Sequence, residues 1–388
     1  MKKTQTPPVF FAAGECVTPL GWTLEENITN LEKGKSGISL IKDKNFAENP
    51  FYGAIINKEK LAKNFENLAY QNQFSTLEKM ILLACEKLKN KYQSLFKEKC
   101  GLIISSTKGN INALKNRDIP QYLLSNLADK ISKSIGINSQ PIVLSNACVS
   151  GIMAVSTAKR LIQTGKYDHF LIVGADLFSK FVFSGFQSFQ AISKNPCKPY
   201  DKSREGITLG EAASAAFITK DKEKIKSDFC FEIIGDSSIN DANHISGPSR
   251  TGEGLFQSIE NAKKEAKIKA ENIDFISAHG TATLYNDEME AQAFTRAKLE
   301  EKPVFSLKGR FGHTLGAAGL LETIISLKFA EKNKIPPSFN YENHGLTLPL
   351  NIPKEFEEKE IDIILKTASG FGGSNTAVLF KKYTSNGN

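Results

Sequence analysis

The sequence predicts an α/β fold, and three observations carry the prediction. Short apolar runs alternate with longer amphipathic stretches along most of the chain. Glycine and other small residues punctuate the junctions, as at Gly165 and 312-GHTLGAAG-319. Hydrophobic content of 40% with 24% charged residues is that of an ordinary folded chain, and no apolar run is long enough to span a bilayer.

In order, 9-VFFAAG-14 reads as the first strand. Pro7, Pro8 and Glu15 interrupt any secretory apolar segment, so a cytoplasmic protein is expected. The stretch 42–74 is polar, dotted with aromatics, and reads as loop. Helical spacing then marks 76-TLEKMILLACEKLKNKY-92. Strands are expected at 101-GLIIS-105, 141-PIVLS-145, 169-HFLIVGA-175 and 213-ASAAFIT-219, with a helix over 151–165 that Gly165 stops. The charged run 220-KDKEKIKSDF-229 is the best internal seam, and the segments on its two sides both alternate strand and helix. Beyond it come strands at 273-IDFISA-278, 303-PVFS-306, 361-IDIIL-365 and 376-TAVLF-380, and helices over 287–300 and 315–333. A glycine-rich turn, 369-SGFGG-373, leads into the last strand.

The six cysteines are scattered, without a CxxC pair, which argues against zinc and against a disulfide framework. The net charge of +8 is spread over Lys/Glu-interleaved helices without clustered aromatics, so nucleic acid is not the expected partner. An acidic protein partner on a local basic patch fits the charge.

Chemistry concentrates in few places. Cys148, in 145-SNACVSGIMAV-155, falls between a strand and a helix start. A thiol there feels the helix dipole and free N–H groups, which lowers its pKa, although a buried inert cysteine is the blander reading. Of five histidines, two stand in small-residue settings. His279 follows a strand, on the edge where α/β folds collect ligands, and His313 precedes 316-GAAG-319, where backbones can approach closely. Either alone reads as structural. Together with Cys148 they point to a Cys–His–His site.

These blocks, with 15-ECVTPLGWTLEENITNLEKGKSGI-38, 199-PYDKSREGITLGEAASA-215, 240-NDANHISGP-248, 279-HGTATLYND-287, 308-KGRFGHTLGAAGLLE-322 and 370-GFGGSNT-376, resemble the β-ketoacyl-acyl carrier protein synthases, the elongating condensing enzymes of the thiolase superfamily. The resemblance spans nearly the whole chain with the blocks in order. It implies a five-layered α-β-α-β-α fold of two pseudo-equivalent halves, 1–225 with the cysteine and 226–388 with the histidines. It implies that Cys148 takes the acyl chain, that His279 and His313 serve decarboxylation and condensation, and that Lys308 is the active-site lysine organised by Glu322. Phe371 matches the gating phenylalanine, Thr281 and Thr283 the contacts to the pantetheine arm, and Asp287 a structural acid. His244 falls near the expected site entrance. The implied partner is an acyl carrier protein bearing acyl and malonyl groups; the implied assembly is a homodimer, or a heterodimer with a related subunit. No cofactor and no metal are implied.

Two positions depart from the pattern: Asn146 stands where threonine is usual, and Val149 where serine or threonine is usual. Both neighbour the thiol and bear on the acyl chain it admits, so fatty-acid elongation and a polyketide or polyene pathway both fit. A non-catalytic chain-length-factor-like subunit is the alternative from another class. Such subunits lack the cysteine, which this chain retains.

Overall fold

The computed structural model describes residues 6–225, 229–241 and 247–383. Ten strands form its main sheet: β1 (Phe10–Val17), β2 (Cys100–Ser105), β3 (Ile142–Leu144), β4 (His169–Asp176), β5 (Ala212–Thr219), β6 (Phe231–Asn240), β7 (Phe275–Ser277), β8 (Val304–Phe305), β9 (Ile363–Gly370) and β10 (Ser374–Lys382). Across the sheet they run β8-β7-β9-β10-β6-β1-β5-β4-β2-β3. Outward from the middle, one half is β1-β5-β4-β2-β3 and the other β6-β10-β9-β7-β8. The second half thus repeats the strand pattern of the first. Within the halves registers are long, from His169↔Thr219 to Asp176↔Ala212 and from Ile363↔Lys381 to Gly370↔Ser374. Between them only Phe10↔Glu232 and Phe11↔Phe231 pair.

Seven helices matter for the layers: α1 (Thr76–Phe96), α2 (Leu124–Ile135), α3 (Ser150–Gln163), α4 (Lys180–Ser188), α5 (Glu253–Ala266), α6 (Leu284–Arg296) and α7 (Ala318–Glu331). Helices α1 and α2 cover the outer face of the first half, and α5 with α6 beside it covers that of the second. Helices α3 and α7 pack on each other and on strands of both halves. The result is helix, sheet, helix, sheet, helix: the five-layered arrangement expected from the sequence. Its middle layer explains α7, which is buried on all sides from Ala318 through Leu327, the polar Glu322, Thr323 and Ser326 included. Glycines let the two central helices meet. A Cβ on Gly151 would stand 2.6 Å from the Leu320 nitrogen, and one on Gly319 would stand 2.7 Å from the Ile152 nitrogen.

The 42–74 stretch is not all loop. Ser39–Ile41 and Phe51–Ala54 pair with each other and, through the latter, with Leu209–Gly210. Lys58–Glu66 is a helix capped by the Asn57 side chain on the Lys60 N–H. Only Leu61 and Phe65 are buried in it, too few apolar residues for a visible period, and the strand partner lies far away in sequence. Helix α6 starts at Leu284 rather than 287, and β9 runs to Gly370, so the glycine-rich turn is only residues 371–373. The described residues of the charged run, 220–225 and 229, lie on the connection from β5 to β6.

Candidate active site

The short strand β3 ends at Leu144 and α3 begins at Ser150. The turn between them is tight: Ala147 adopts φ +43°. That left-handed conformation strains a non-glycine residue by about 1–3 kcal/mol. The Ser150 hydroxyl holds it, accepting from the Asn146 N–H at 2.8 Å and donating to the Ala147 carbonyl at 2.7 Å. Cys148 is thereby placed at the head of α3, 7% exposed. Val149 beside it is fully buried. Asn146 links this turn to the start of β10, where the Ser374 hydroxyl donates to the Asn146 side-chain Oδ1 at 3.1 Å.

His313 follows Gly312, whose φ of +67° brings the chain against Leu209. Its backbone bonds the Thr208 carbonyl and the Gly210 N–H, and its Nε2 stands 3.0 Å from the Cys148 sulfur. His279 lies just past β7, its ring 5.3 Å from that of His313 and nearly perpendicular to it. Residues far apart in sequence, Cys148 and His313 by 165 positions, thus converge: the Cys148 Sγ and one nitrogen of each histidine lie within 4.8 Å of one another. The 3.0 Å contact is that of a thiol–imidazole hydrogen bond; two ligands on one tetrahedral zinc would stand about 3.5 Å apart.

The His279 loop is tied to α6. Glu290 accepts from the N–H groups of His279 and Gly280 at 2.8 and 2.7 Å, and from the Tyr200 hydroxyl at 3.1 Å. Asp287 accepts from the Thr281 and Tyr200 N–H groups at 3.0 and 2.8 Å. Behind the ring, the Lys308 ammonium donates to the His279 carbonyl, to Glu322 Oε1 at 2.5 Å and toward His279 Nδ1 at 3.4 Å. An ammonium cannot accept, so Nδ1 carries the lone pair and Nε2 the proton. Nothing among the described residues bonds His313 Nδ1, so either of its nitrogens can hold the proton.

A cavity of about 420 Å³ opens over Cys148, His279 and His313. Thr281 and Thr283 line it, with hydroxyls 2.9 Å apart. Phe371 caps it, 37% exposed, stacked on Phe186 at 5.6 Å and edge-on to Phe189 at 5.7 Å. Gly372 and Gly373 behind it have φ of +84° and +79°, the left-handed region that favours glycine. The Phe371 N–H reaches the Cys148 sulfur. His244 lies outside the described residues.

Burial dominates the electrostatics. It pushes the Cys148 thiol up to about 11, against the opposing pull of Lys308 and the Phe371 N–H. The expected lowering by the helix N-terminus is therefore corrected: enclosure outweighs it. Burial, then Lys308, holds both His279 and His313 well below the usual histidine range. The resting site is a neutral thiol beside two neutral imidazoles. Burial also raises Asp287 to about 6 and Glu290 to about 7.

Three residues of this neighbourhood escaped the sequence reading. Glu290 lies one helical turn from Asp287, on the same face of α6, and that spacing was its signal. Asp176 ends β4 and accepts from Ser106, Thr107, Lys108 and the Gly316 N–H. Its place at the carboxyl end of a strand was visible. Lys366, a lone cation inside β9, donates to Glu322 Oε2 at 2.7 Å.

Comparison with known proteins agrees with this geometry. Residues 7–224 match the family model "Beta-ketoacyl synthase, N-terminal domain" and 231–342 match "Beta-ketoacyl synthase, C-terminal domain". A 3-oxoacyl-[acyl-carrier-protein] synthase 2 of Coxiella burnetii is 30% identical, over 68% of this chain and 67% of its own. A putative mitochondrial 3-oxoacyl-[acyl-carrier-protein] synthase of Schizosaccharomyces pombe is 28% identical, over 95% and 97%. Among solved structures, a β-ketoacyl synthase from Burkholderia phymatum superposes with a TM-score of 0.85, at 23% identity over 97% of this chain and 100% of the other. A ketosynthase in complex with its chain length factor, from Xenorhabdus doucetiae, gives 0.84, at 22% identity over 98% and 99%. The chain belongs to the β-ketoacyl synthase family.

Proposed function

We propose that this chain is a catalytically complete 3-oxoacyl-acyl carrier protein synthase in which Cys148 carries the acyl group. The observation that carries the reading is the convergence of Cys148, His279 and His313 at the base of one cavity, with Lys308 behind His279.

The steps follow from the contacts. An acyl-carrier thioester enters. The Cys148 thiol passes its proton to His313 Nε2, and the sulfur attacks the thioester carbonyl. The N–H groups of Cys148 and Phe371 receive the oxyanion, and the carrier thiolate leaves with the proton from His313. Malonyl-carrier then binds with its thioester oxygen between His279 and His313. The bond to the carboxylate breaks, carbon dioxide leaves, and the electron pair becomes an enolate held by the Nε2–H of His279 and by that of His313, whose one neutral-state proton has first shifted from Nδ1 to Nε2. The enolate carbon attacks acyl-Cys148, the sulfur departs as a thiolate that takes a proton from solvent to restore the neutral thiol, and a 3-oxoacyl-carrier product forms. Thr281 and Thr283 offer hydroxyls to the pantetheine arm, while Asp287 and Glu322 hold the scaffold.

The reading includes an acyl carrier protein bearing acyl and malonyl groups as partner and a dimer as the working form, with a second copy or with a related subunit. It places the enzyme in the cytoplasm, and six buried, unpaired cysteines fit a reducing compartment. It divides the chain into a nucleophile half, 1–225, and a histidine half, 226–388, supported by the repeated strand order. The test is elongation of a panel of acyl-carrier primers by malonyl-carrier, read by mass spectrometry. Two-carbon extension with release of carbon dioxide is expected, and the preferred primer assigns fatty-acid or polyketide chemistry. Absence of extension with every primer overturns the reading in favour of a non-catalytic subunit.

A further inference from the structure

Lys366 is a buried charge next to the site that the steps above leave unused. It is 1% exposed, and its ammonium has three acceptors: Glu322 Oε2 at 2.7 Å and the carbonyls of Ser277 and Ala278, each at 3.2 Å. Three acceptors and no donor require three N–H bonds, so the group is a charged ammonium. The two carbonyls belong to the end of β7 and the residue before His279. The other oxygen of Glu322 holds Lys308. The groups form one chain: Lys366, Glu322, Lys308, His279.

Charge counting shows what the chain does. Within this chain of groups one carboxylate between two ammoniums leaves one positive charge in excess, in an enclosed site where charge is weakly screened; Glu290, on the His279 N–H, faces it from α6 with its ionised form disfavoured by burial. Lys308 with Glu322 alone would be a neutral pair. The decarboxylation step moves negative charge from a departing carboxylate to the enolate oxygen facing His279, so an uncompensated cation behind that ring favours the transition state over the ground state. Acylation of Cys148 places its oxyanion instead at the Phe371 N–H, in the glycine-rich turn.

We propose that Lys366 is a positioning residue for decarboxylation: by sharing Glu322 with Lys308 and gripping the 277–278 carbonyls, it keeps a net positive charge and a fixed Nε2–H donor on His279. The proposal rests on the condensing reading of this site.

The test compares Lys366→Met, Lys366→Gln and Lys366→Arg with the unaltered protein in two assays: carbon dioxide release from malonyl-carrier and single-turnover acylation of Cys148. For Met and Gln the decarboxylation kcat is expected to fall about tenfold or more, with KM for malonyl-carrier and the acylation rate within about twofold. Arg, which keeps the charge, recovers most of kcat. The Gln variant keeps a hydrogen bond to Glu322 and serves if the Met variant does not fold. Unchanged decarboxylation in Met and Gln overturns the proposal. So does an equal fall of both rates without rescue by Arg, which marks a structural lysine. If the unaltered protein releases no carbon dioxide from malonyl-carrier, the condensing reading itself fails, and the proposal with it.

Discussion

Glu322→Gln tests the electrostatics of the site most severely. The Glu322 side chain is 4% exposed and bridges two ammoniums, each 1% exposed, at 2.5 and 2.7 Å. Glutamine has nearly the same shape, but only its oxygen can accept. Its NH₂ would face the other ammonium, donor against donor, and both cations would lose their anion. Removing one partner of a buried pair costs about 3–5 kcal/mol, and here one substitution strips two pairs, so a loss at the upper end of that range is expected. The penalty depends on pH with a definite sign. Burial already lowers the Lys366 pKa while Glu322 pulls it back up. Without Glu322 it falls further, so above that pKa the unfolded chain binds a proton that the fold does not. Stability of the variant therefore climbs toward that of the unaltered protein as pH rises toward the ordinary lysine range, near 10.5. Urea midpoints measured at pH 7 and pH 9.5 read this directly. A loss below about 1 kcal/mol, or a deficit that widens with pH, would refute the reasoning.

Other consequences follow from single contacts. Gly373→Ala would put a Cβ 2.1 Å from the Asp241 carbonyl at a φ of +79°, shifting the turn that presents the Phe371 N–H; single-turnover acylation should drop about 10²-fold with little change in far-UV circular dichroism. Thr283→Val removes a cavity hydroxyl that pairs with Thr281 at 2.9 Å, and steady-state kinetics should show KM for malonyl-carrier rising about tenfold with kcat within about threefold. Glu211 accepts from the N–H groups of Ile56 and Phe178, and burial raises it from 4.5 to about 7. Between those values the unfolded chain ionises first, so stability falls as pH rises; Glu211→Gln should flatten that slope, worth up to about 3 kcal/mol, in urea titrations from pH 4.5 to 7.5.

What could be read from the sequence follows from how each residue is satisfied. Strands β2, β4 and β5 are buried on both faces, so they appear as runs of apolar and small residues, whereas β9 shows such a run only in Ile363–Leu365. Strand β6, FEIIGDSSIN, does not. Its Asp236 is neutralised by Lys159 and Arg160 from α3, and its Ser238 bonds Thr376 on β10. Such polar strand positions make sense only once distant partners are in place. The same holds at the site. Cys148, His279 and His313 stand out because small residues flank them and their order matches a family. Lys366 meets Glu322 across 44 positions, and nothing near 361-IDIIL-365 announces the pairing. The direction of the Cys148 pKa was legible only in part, because the helix N-terminus is local whereas the enclosure comes from β9, α7 and the glycine-rich turn.

Cys148→Ala separates the two halves of the chemistry and bears most directly on the account. The substitution removes the thiol from the cavity and leaves His279, His313, Lys308 and the Phe371 N–H in place. Condensation of an acyl primer with malonyl-carrier should disappear, while carbon dioxide release from malonyl-carrier continues. Condensation at the unaltered rate would contradict the assignment of Cys148 as the acyl-bearing nucleophile.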